Sequence, residues 1–285
     1  MAENRIALIT DSTNDLPQAL REQYAISIVP LTIVWGDQPY LDGVEMKAEE
    51  FYQRLNTDPS HPTTSQPSPA DFLEKFEKAK REGAEEIVVI TISGAMSGTI
   101  ESARAAAEGF SLSVRIIDSK SNSMSLGWQL LAAARARENG ATVDEMAAAV
   151  EIVRGHLQYH IVLDTMEYLF RGGRIAGAAK LLNNVLKVKP QIRVNHNSGS
   201  VEPGGISRTR AQALESLYHN FFKELDTTKP MRVAILHNAA LEEATILAAR
   251  IKVEFNPVEL IVGIVSPVLG VHTGPRAIAL CGYSE

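Results

Sequence analysis

Apolar positions in the first half of the chain recur with two different periods. Short, nearly continuous apolar runs such as Arg5–Asp11 and Glu86–Ile92 are typical of buried strands. Between such runs lie amphipathic stretches with the period of a helix, for example Asp71–Glu82. Strands that alternate with helices through short connections indicate a parallel sheet covered by helices. We therefore predict an α/β domain with a largely parallel sheet over residues 1–158.

The pattern changes after residue 158. Apolar runs and amphipathic stretches still alternate, but a connection rich in Gly, Asn and Ser at 195–205 has the composition of a hairpin between antiparallel strands. We therefore predict a second α/β domain, with a mixed sheet, over residues 159–285. Its predicted strands are 159–163, 188–194, 231–237, 258–264 and 277–283, and its predicted helices are 165–170, 176–185, 207–225 and 241–254.

Prolines interrupt the pattern at two places. Pro30 lies inside an apolar run, Ser27–Trp35, that otherwise predicts a single strand, so we expect an edge or a bulge there. Residues 57–69 contain four prolines among hydroxyl side chains, which is incompatible with a helix or a central strand. This loop is either a ligand-binding segment held in an extended shape or a solvated linker. Its adjacent hydroxyls are those of Thr63, Thr64 and Ser65.

A Gly- and Ser-rich loop, Ser93–Thr99, connects the predicted strand 86–92 to an alanine-rich helix near 100–107. A strand that enters a helix through such a loop presents free backbone N–H groups and the positive end of the helix dipole. This arrangement predicts an anion site at the loop. The alternative is purely structural, with Ser97 or Thr99 capping the helix and the glycines making the turn.

The composition excludes several classes of function. The chain has 285 residues, 45% of them hydrophobic, and a net charge of −6, so it lacks the basic surface that nucleic acids require. The lone Cys281 and the spacing of the seven histidines predict no disulfide and no metal. The N-terminal residues lack the layout of a signal peptide, and the apolar run 260–265 is too short to cross a membrane. These features predict a cytoplasmic protein.

The sequence lacks the motifs of nucleotide binding and of serine hydrolases. It has no P-loop, no G-x-G-x-x-G after the first strand and no G-x-S-x-G, so we expect no cofactor. Hydroxyls and glycines near a helix N-terminus can recognise an anion without reacting with it, which favours binding over catalysis. Two alternatives stay open: a hydrolase or transferase that uses Ser97, with His272 as its base, and a sensor of a small anion. The cationic or titratable groups available in the second domain are Arg174, Arg208, Arg210 and His272.

Five short segments carry a family resemblance. They are T-D-S-T with D-L-P at Thr10–Pro17, P-T-T-S-Q-P-S at Pro62–Ser68, S-G-A-M-S-G-T at Ser93–Thr99, R-G-G-R at Arg171–Arg174 and H-T-G-P at His272–Pro275. In this order, and over nearly the whole chain, they resemble the DegV family, the fatty-acid-binding subunits of bacterial fatty acid kinase. Each segment alone is a weak match, but the set is specific.

The resemblance implies a long-chain fatty acid held between the two domains, with its carboxylate at the hydroxyls of Thr64 and Ser97. It implies that Arg174 and His272 lie beside this head group. It also implies a separate ATP-dependent kinase that phosphorylates the bound carboxylate for phospholipid synthesis, so the nucleotide belongs to the partner. The partner would contact Arg208 and Arg210. The other loop residues expected near the ligand are Thr63, Ser65, Ser93, Gly98 and Thr99.

The sequence departs from the family pattern at two positions. Arg276 replaces a glycine after H-x-G-P, and a positive φ there would strain it. Ser125 replaces a glycine in the segment Ser123–Gly127. The residues that would line an acyl tunnel cannot be distinguished from core residues by sequence; the candidates are Ile28, Leu31, Ile33, Met166, Leu169 and Ile264.

Overall fold

The computed structural model describes residues 5–174 and 188–285. Its first sheet has four parallel strands in the order β2-β1-β6-β7, as the alternating pattern predicts. The strands are β1 (Ile6–Asp11), β2 (Ile26–Val29), β6 (Glu86–Thr91) and β7 (Ser113–Asp118). The accompanying helices are α1 (Gln18–Gln23), α2 (Ala48–Thr57), α3 (Pro69–Arg81), α4 (Thr99–Ala107), α5 (Ser123–Glu138) and α6 (Val143–His156).

The second sheet has six strands in the order β10-β9-β8-β13-β11-β12. Among the described strands of this sheet only β11 and β12 pair in parallel, so the predicted mixed sheet is confirmed. Its strands are β8 (Gln158–Val162), β9 (Lys189–Asn195), β10 (Ser200–Ser207), β11 (Met231–His237), β12 (Glu259–Ile264) and β13 (Ile278–Ser284). The described helices of this half are α7 (Glu167–Arg171), α8 (Arg210–Lys223), α9 (Leu241–Phe255) and α10 (Pro267–Thr273), and the helix predicted at 176–185 lies outside the described residues.

The prediction of one continuous strand over 27–35 is wrong. The chain leaves the parallel sheet after Val29, and β3 (Thr32–Trp35) belongs to a separate antiparallel sheet with β4 (Gln38–Leu41) and β5 (Thr63–Ser65). Pro30 cannot donate to a sheet ladder, and the N–H of Leu31 donates to the Ser12 hydroxyl instead, at 3.0 Å.

The six-stranded sheet buries both of its faces. Residues that alternate along β8, β13 and β11 pack on one side against α8 and α9. The opposite face packs against α2, α5 and the end of the parallel sheet in one continuous core. Trp128 of α5 crosses this junction and donates from its indole N–H to the carbonyl of Cys281, at 3.4 Å. A division of the chain between residues 158 and 159 stays a prediction, although each large sheet lies on its own side of that point.

Helix α10 was not predicted from the sequence, and it is held by side chains from the N-terminal half. The N–H of Ser266 donates to Asp15 at 2.9 Å, and the N–H of Val268 donates to Asp42 at 3.2 Å. The buried Tyr52 hydroxyl donates to the Val265 carbonyl at 3.1 Å. These bonds satisfy the free N–H groups at the start of α10 and fix the helix beside the parallel sheet.

Candidate functional site

A cavity of about 380 Å³ lies between the parallel sheet and the inner face of the six-stranded sheet. This volume is within the range of small-molecule sites in proteins. Both loops expected to bind a ligand reach it, through Thr64–Gln66 and Met96–Ser97, and so does the loop after β1, through Thr13. Most of the remaining lining is apolar. It comprises Leu31, Ile92, Ile161, Leu169, Ile192, Val194, Val201, Leu236, Val265, Val268, Leu269, Ala277 and Ala279.

The polar groups of the cavity include a pair made by Thr64 and His272. Thr64 lies on the edge strand β5, and His272 lies near the end of α10; Thr64 Oγ1 and His272 Nε2 are 2.9 Å apart. Burial, followed by the charge of Arg174, lowers the pKa of His272 to about 4. The imidazole is therefore neutral at neutral pH and can donate one hydrogen bond. Its Nδ1 atom has no hydrogen-bond partner among the described residues.

The position of His272 depends on Gly172. A β-carbon at Gly172 would lie 2.1 Å from His272 Nδ1, so only glycine permits this approach. Arg174 follows in the same turn and donates to the carbonyls of Gly172, at 2.8 Å, and Met96, at 3.4 Å. The R-G-G-R turn therefore determines the position of the His272 imidazole and places the Arg174 guanidinium next to the 93–99 loop.

Gly172→Ala is expected to raise the pKa of His272 from about 4 toward the ordinary value of 6.5, because the new methyl group forces the imidazole out of its buried position. NMR titration of the histidine resonances measures this shift. Gly155→Ala in α6 is the matched control, since a β-carbon at Gly155 meets nothing within 4 Å. An unchanged His272 pKa in Gly172→Ala would contradict this role of the glycine.

The 93–99 loop presents Ser97 to the cavity and holds it by local bonds. Ser97 Oγ and Thr99 Oγ1 are 2.8 Å apart, and the Thr99 N–H donates to Ser97 Oγ at 3.4 Å. Gly98 packs against Gln66, whose Oε1 atom would lie 2.2 Å from a β-carbon there. Gln66 in turn donates to Ser102 Oγ at 3.0 Å, so this residue joins the proline-rich loop to α4.

The structure does not pair Ser97 with His272. The Ser97 hydroxyl bonds with Thr99, and His272 faces Thr64 through Nε2. Among the described residues no carboxylate bonds to Nδ1 of His272, so no group orients this imidazole as a base. The arrangement needed for a serine nucleophile is therefore not assembled in residues 5–174 and 188–285.

Other residues expected near the ligand lie outside the cavity wall. Ser93 is fully buried, and its hydroxyl donates to the Gly199 carbonyl at 2.7 Å, which fixes the β9–β10 hairpin to the loop. The side chains of Thr63 and Thr99 do not line the cavity. Of the two residues expected to contact the partner kinase, Arg210 forms two bonds of 2.9 Å with Glu243, and Arg208 is exposed. Among the candidate tunnel residues, Leu31 and Leu169 line the cavity.

Three acidic side chains that bond to the loops and the helix around the cavity were not predicted from the sequence. Asp11 is fully buried at the end of β1 and accepts from Thr13 N, Thr13 Oγ1 and Ile92 N, at 3.0, 2.6 and 2.7 Å. Asp11 therefore joins the loop after β1 to the start of the loop after β6. Asp15 and Asp42 hold the start of α10, which carries His272. Asp11 and Asp15 lie in the T-D-S-T-x-D segment, which did not indicate a structural role, and Asp42 lies in none of the five family segments.

Comparison with known proteins identifies the fold family. Residues 5–285 match the family described as "Uncharacterised protein, DegV family". The chain belongs to the DegV family. A DegV domain-containing protein of Streptomyces coelicolor is 36% identical over 277 residues, covering 96% of this chain and 97% of the relative. The resemblance seen in the five sequence segments is thus confirmed.

Solved DegV structures share this architecture. A DegV family protein from Thermus thermophilus, described for its fatty acid binding, is 32% identical, with a TM-score of 0.92 and coverage of 99% of this chain and 100% of that one. DegV of Bacillus subtilis, described as a fatty acid binding protein, is 28% identical, with a TM-score of 0.91 and coverage of 99% of both chains. The two-domain α/β arrangement predicted from the sequence therefore matches DegV proteins of known structure.

The two departures from the family pattern have structural consequences in this DegV protein. Arg276 has a φ of 62°, the left-handed conformation that favours glycine, and its guanidinium lies 3.9 Å from Glu243. Ser125 Oγ lies 2.7 Å from His196 Nε2, so this hydroxyl joins α5 to the β9–β10 hairpin. Burial lowers the pKa of His196 to about 4, and this imidazole is therefore neutral.

No helix within residues 5–174 and 188–285 combines the length and apolar character needed to cross a membrane. The same residues contain no group of three or more His, Cys, Asp or Glu side chains placed to hold a metal ion.

Proposed function

We propose that this protein binds one long-chain fatty acid in the cavity and presents its carboxylate to a separate ATP-dependent kinase in the cytoplasm. The kinase would convert the carboxylate to an acyl phosphate for phospholipid synthesis. The observation that carries the proposal is a mostly apolar cavity with hydroxyls, an imidazole and a guanidinium gathered in its wall. The DegV proteins of Thermus thermophilus and Bacillus subtilis, both described as fatty acid binding, support the ligand class.

The head group has a set of donors suited to a carboxylate. The hydroxyl of Ser97 can donate to the carboxylate. The hydroxyl of Thr64 can donate as well when the neutral His272 donates from Nε2 to Thr64 Oγ1, so the imidazole orients this hydroxyl. Arg174 adds a positive charge beside them and lines the same cavity. A carboxylate accepts several hydrogen bonds at once, and bonds to a charged group are the stronger ones.

The apolar lining would supply most of the affinity. A C16 acid has about 14 methylenes, each worth about 0.8 kcal/mol when buried, or about 11 kcal/mol before the cost of association. The polar groups would then orient the carboxylate more than they would strengthen binding. This division suits a carrier, because the reactive end can remain accessible while the tail stays buried.

Mass spectrometry of the purified protein, first native and then after organic extraction, tests the ligand class. A stoichiometric adduct that extracts as a long-chain fatty acid is the expected result. A protein that carries no such adduct and takes up none from added C14–C18 acids would overturn the proposal. It would favour the small-anion sensor instead.

Kinase coupling has its own test. With ATP, Mg²⁺ and a candidate kinase, bound acid should yield a hydroxamate when hydroxylamine is added, because hydroxylamine traps acyl phosphates. The protein with ATP alone should yield none. Hydroxamate formation by the protein alone, or no coupling with any kinase, would contradict this part of the proposal while leaving fatty acid binding untouched.

Combining Thr64→Val with Ser97→Ala is expected to weaken fatty acid binding about 10- to 100-fold, since two hydrogen bonds to a charged group are lost. Isothermal titration against palmitate measures the change. Ser198→Ala with Ser200→Ala is the matched control, because these two hydroxyls bond to each other at 2.7 Å on an exposed turn. Equal affinities for both double variants would show that the carboxylate does not bind at Thr64 and Ser97.

A further inference from the structure

Two cavities meet at a shared wall beneath the six-stranded sheet. The first is the mostly apolar cavity of about 380 Å³, and the second is a recess of about 240 Å³. Tyr159 of β8 and Val194 of β9 line both of them. Tyr159 and Val194 are each 5% exposed, so both side chains are buried between the two cavities.

The register of the sheet shows how far this wall lies from the polar head of the cavity. Asn238 and Ala277 lie in the first row, next to α10, where Asn238 donates to Thr273 Oγ1 at 2.8 Å. Each further row along the strands is two residues, or about 7 Å, deeper. The second row contains Leu236, Ala279, Ile161 and Ile192, which pair across the sheet.

Tyr159 belongs to the third row, about 14 Å from the first. It pairs with Cys281 on one side and stands beside Val194 on the other, while Val194 pairs with Val201. All three residues, Tyr159, Val194 and Val201, face the cavity. The tyrosine ring is the largest side chain of this row.

The recess beyond Tyr159 is polar. It is lined by Arg154 and His196 on the face of the sheet that carries Tyr159, and by the Arg193–Glu202 pair, 3.3 Å apart, on the other face. An acyl terminus that entered this space would displace water from charged groups without replacing their hydrogen bonds. The recess therefore does not extend the apolar cavity, although it adjoins it.

We propose that Tyr159, flanked by Val194 and Val201, is the stop that sets the longest acyl chain this protein accepts. The inference rests on the proposed function, because it assumes a carboxylate at Thr64 and Ser97. It assigns a specificity-determining role to a residue that lies in none of the five family segments. The distance between the head-group hydroxyls and the tyrosine ring then limits the length of the acyl chain.

A competition experiment tests the stop. Delipidated full-length protein is loaded from an equimolar mixture of saturated acids from C12 to C20, and the bound acids are quantified by mass spectrometry after extraction. Tyr159→Leu, which removes the ring but stays apolar, is expected to shift the preferred length upward by about two carbons. The C18 to C16 ratio should rise about tenfold, because two more methylenes are buried.

Two further variants complete the design. Tyr159→Phe retains the ring and should keep the wild-type distribution. Val201→Phe adds a ring to the same row and should shift the preference toward shorter acids. If Tyr159→Leu does not fold, Val201→Phe still tests whether this row limits the acyl chain length.

The outcomes separate the two proposals. Wild-type protein that loads no acid overturns the proposed function itself. Wild-type protein that loads acids with a preferred length that neither Tyr159→Leu nor Val201→Phe changes overturns the stop alone. A shift in opposite directions for these two variants supports it.

Discussion

Replacing Asp11 with alanine is expected to lower the free energy of unfolding by about 3–5 kcal/mol. The carboxylate accepts three hydrogen bonds from Thr13 and Ile92 inside the protein, and its removal leaves those donors buried without partners. Burial raises the pKa of Asp11, and the hydrogen bonds from Thr13 and Ile92 oppose this shift. Because Ile92 and Thr13 both line the cavity, ligand binding should weaken together with stability.

Urea unfolding of Asp11→Ala measures the loss, and the chain offers a close control in Asp226→Ala. Asp226 accepts from the N–H and the hydroxyl of Thr228 at 3.1 and 2.6 Å, which is the same local motif as Asp11 with Thr13. Asp226 is exposed and has no counterpart of the Ile92 bond. Its loss should cost no more than about 1 kcal/mol. Similar losses in both variants would show that the local turn, and not the buried link to Ile92, carries the stability.

Asp42→Asn is expected to stabilise the protein more at pH 8 than at pH 4. The difference in free energy of unfolding between the variant and wild type should be about 3 kcal/mol larger at pH 8. Asp42 is 2% exposed, and one of its oxygens has no hydrogen-bond partner among the described residues. Burial, opposed by hydrogen bonds from Ser12 and Val268 and reinforced by the charges of Asp15 and Asp11, raises the pKa of Asp42 from 3.8 to about 7.

The direction follows from proton uptake. An acid whose pKa is higher in the folded chain binds its proton more tightly there, so the free energy of unfolding falls as pH rises from about 4 to about 7. Asparagine resembles the protonated acid at every pH, and its advantage therefore grows across this window. Buried histidines with lowered pKa values, such as His272, have the opposite slope, so the comparison must be the difference between variant and wild type.

Thermal or urea unfolding at pH 4, 6 and 8 measures this difference, with the exposed Asp37→Asn as the control. A pH-independent difference between Asp42→Asn and wild type would contradict the raised pKa. Asp42 also bonds to the start of α10 through Val268, so a stabilised variant should retain His272 in place. The His272 titration described for Gly172→Ala can verify this.

Much of the secondary structure could be predicted because each element repeats a pattern along the sequence. The helix predicted at 71–82 is observed as α3, and α6 begins with a capping box, in which Thr142 and Glu145 form reciprocal bonds at the T-x-x-E spacing. Such elements depend on residues three or four positions apart, which the sequence displays directly. The strand predicted over 27–35 failed because one apolar run serves two sheets, which no local pattern shows.

Helix α10 went unpredicted for a related reason. It has only seven residues, and its first N–H groups are satisfied by Asp15 and Asp42, which are more than 200 positions away. A short helix held by distant side chains carries no complete capping signal of its own. Its absence from the sequence prediction also hid the element that positions His272.

In the candidate site, too, local patterns could be predicted from the sequence and long-range contacts could not. The sequence indicated the hydroxyl loops and, through family segments, the involvement of Thr64, Ser97, Arg174 and His272. It could not show that Ser93 fixes the hairpin through Gly199, because a buried and an exposed serine look alike in a sequence.

The amino-acid sequence by itself determined the alternation of strands and helices, the family and the loops that reach the cavity, because these depend on short-range patterns and on the order of motifs. Only the tertiary structure decided which hydroxyls face the cavity, which carboxylates bond to the start of α10, and that Tyr159 lines the cavity. Those facts depend on contacts between residues far apart in the chain, and a contact of this kind leaves no periodic trace. Burial then sets the chemistry, since the same histidine or aspartate has a different pKa once water is removed from it.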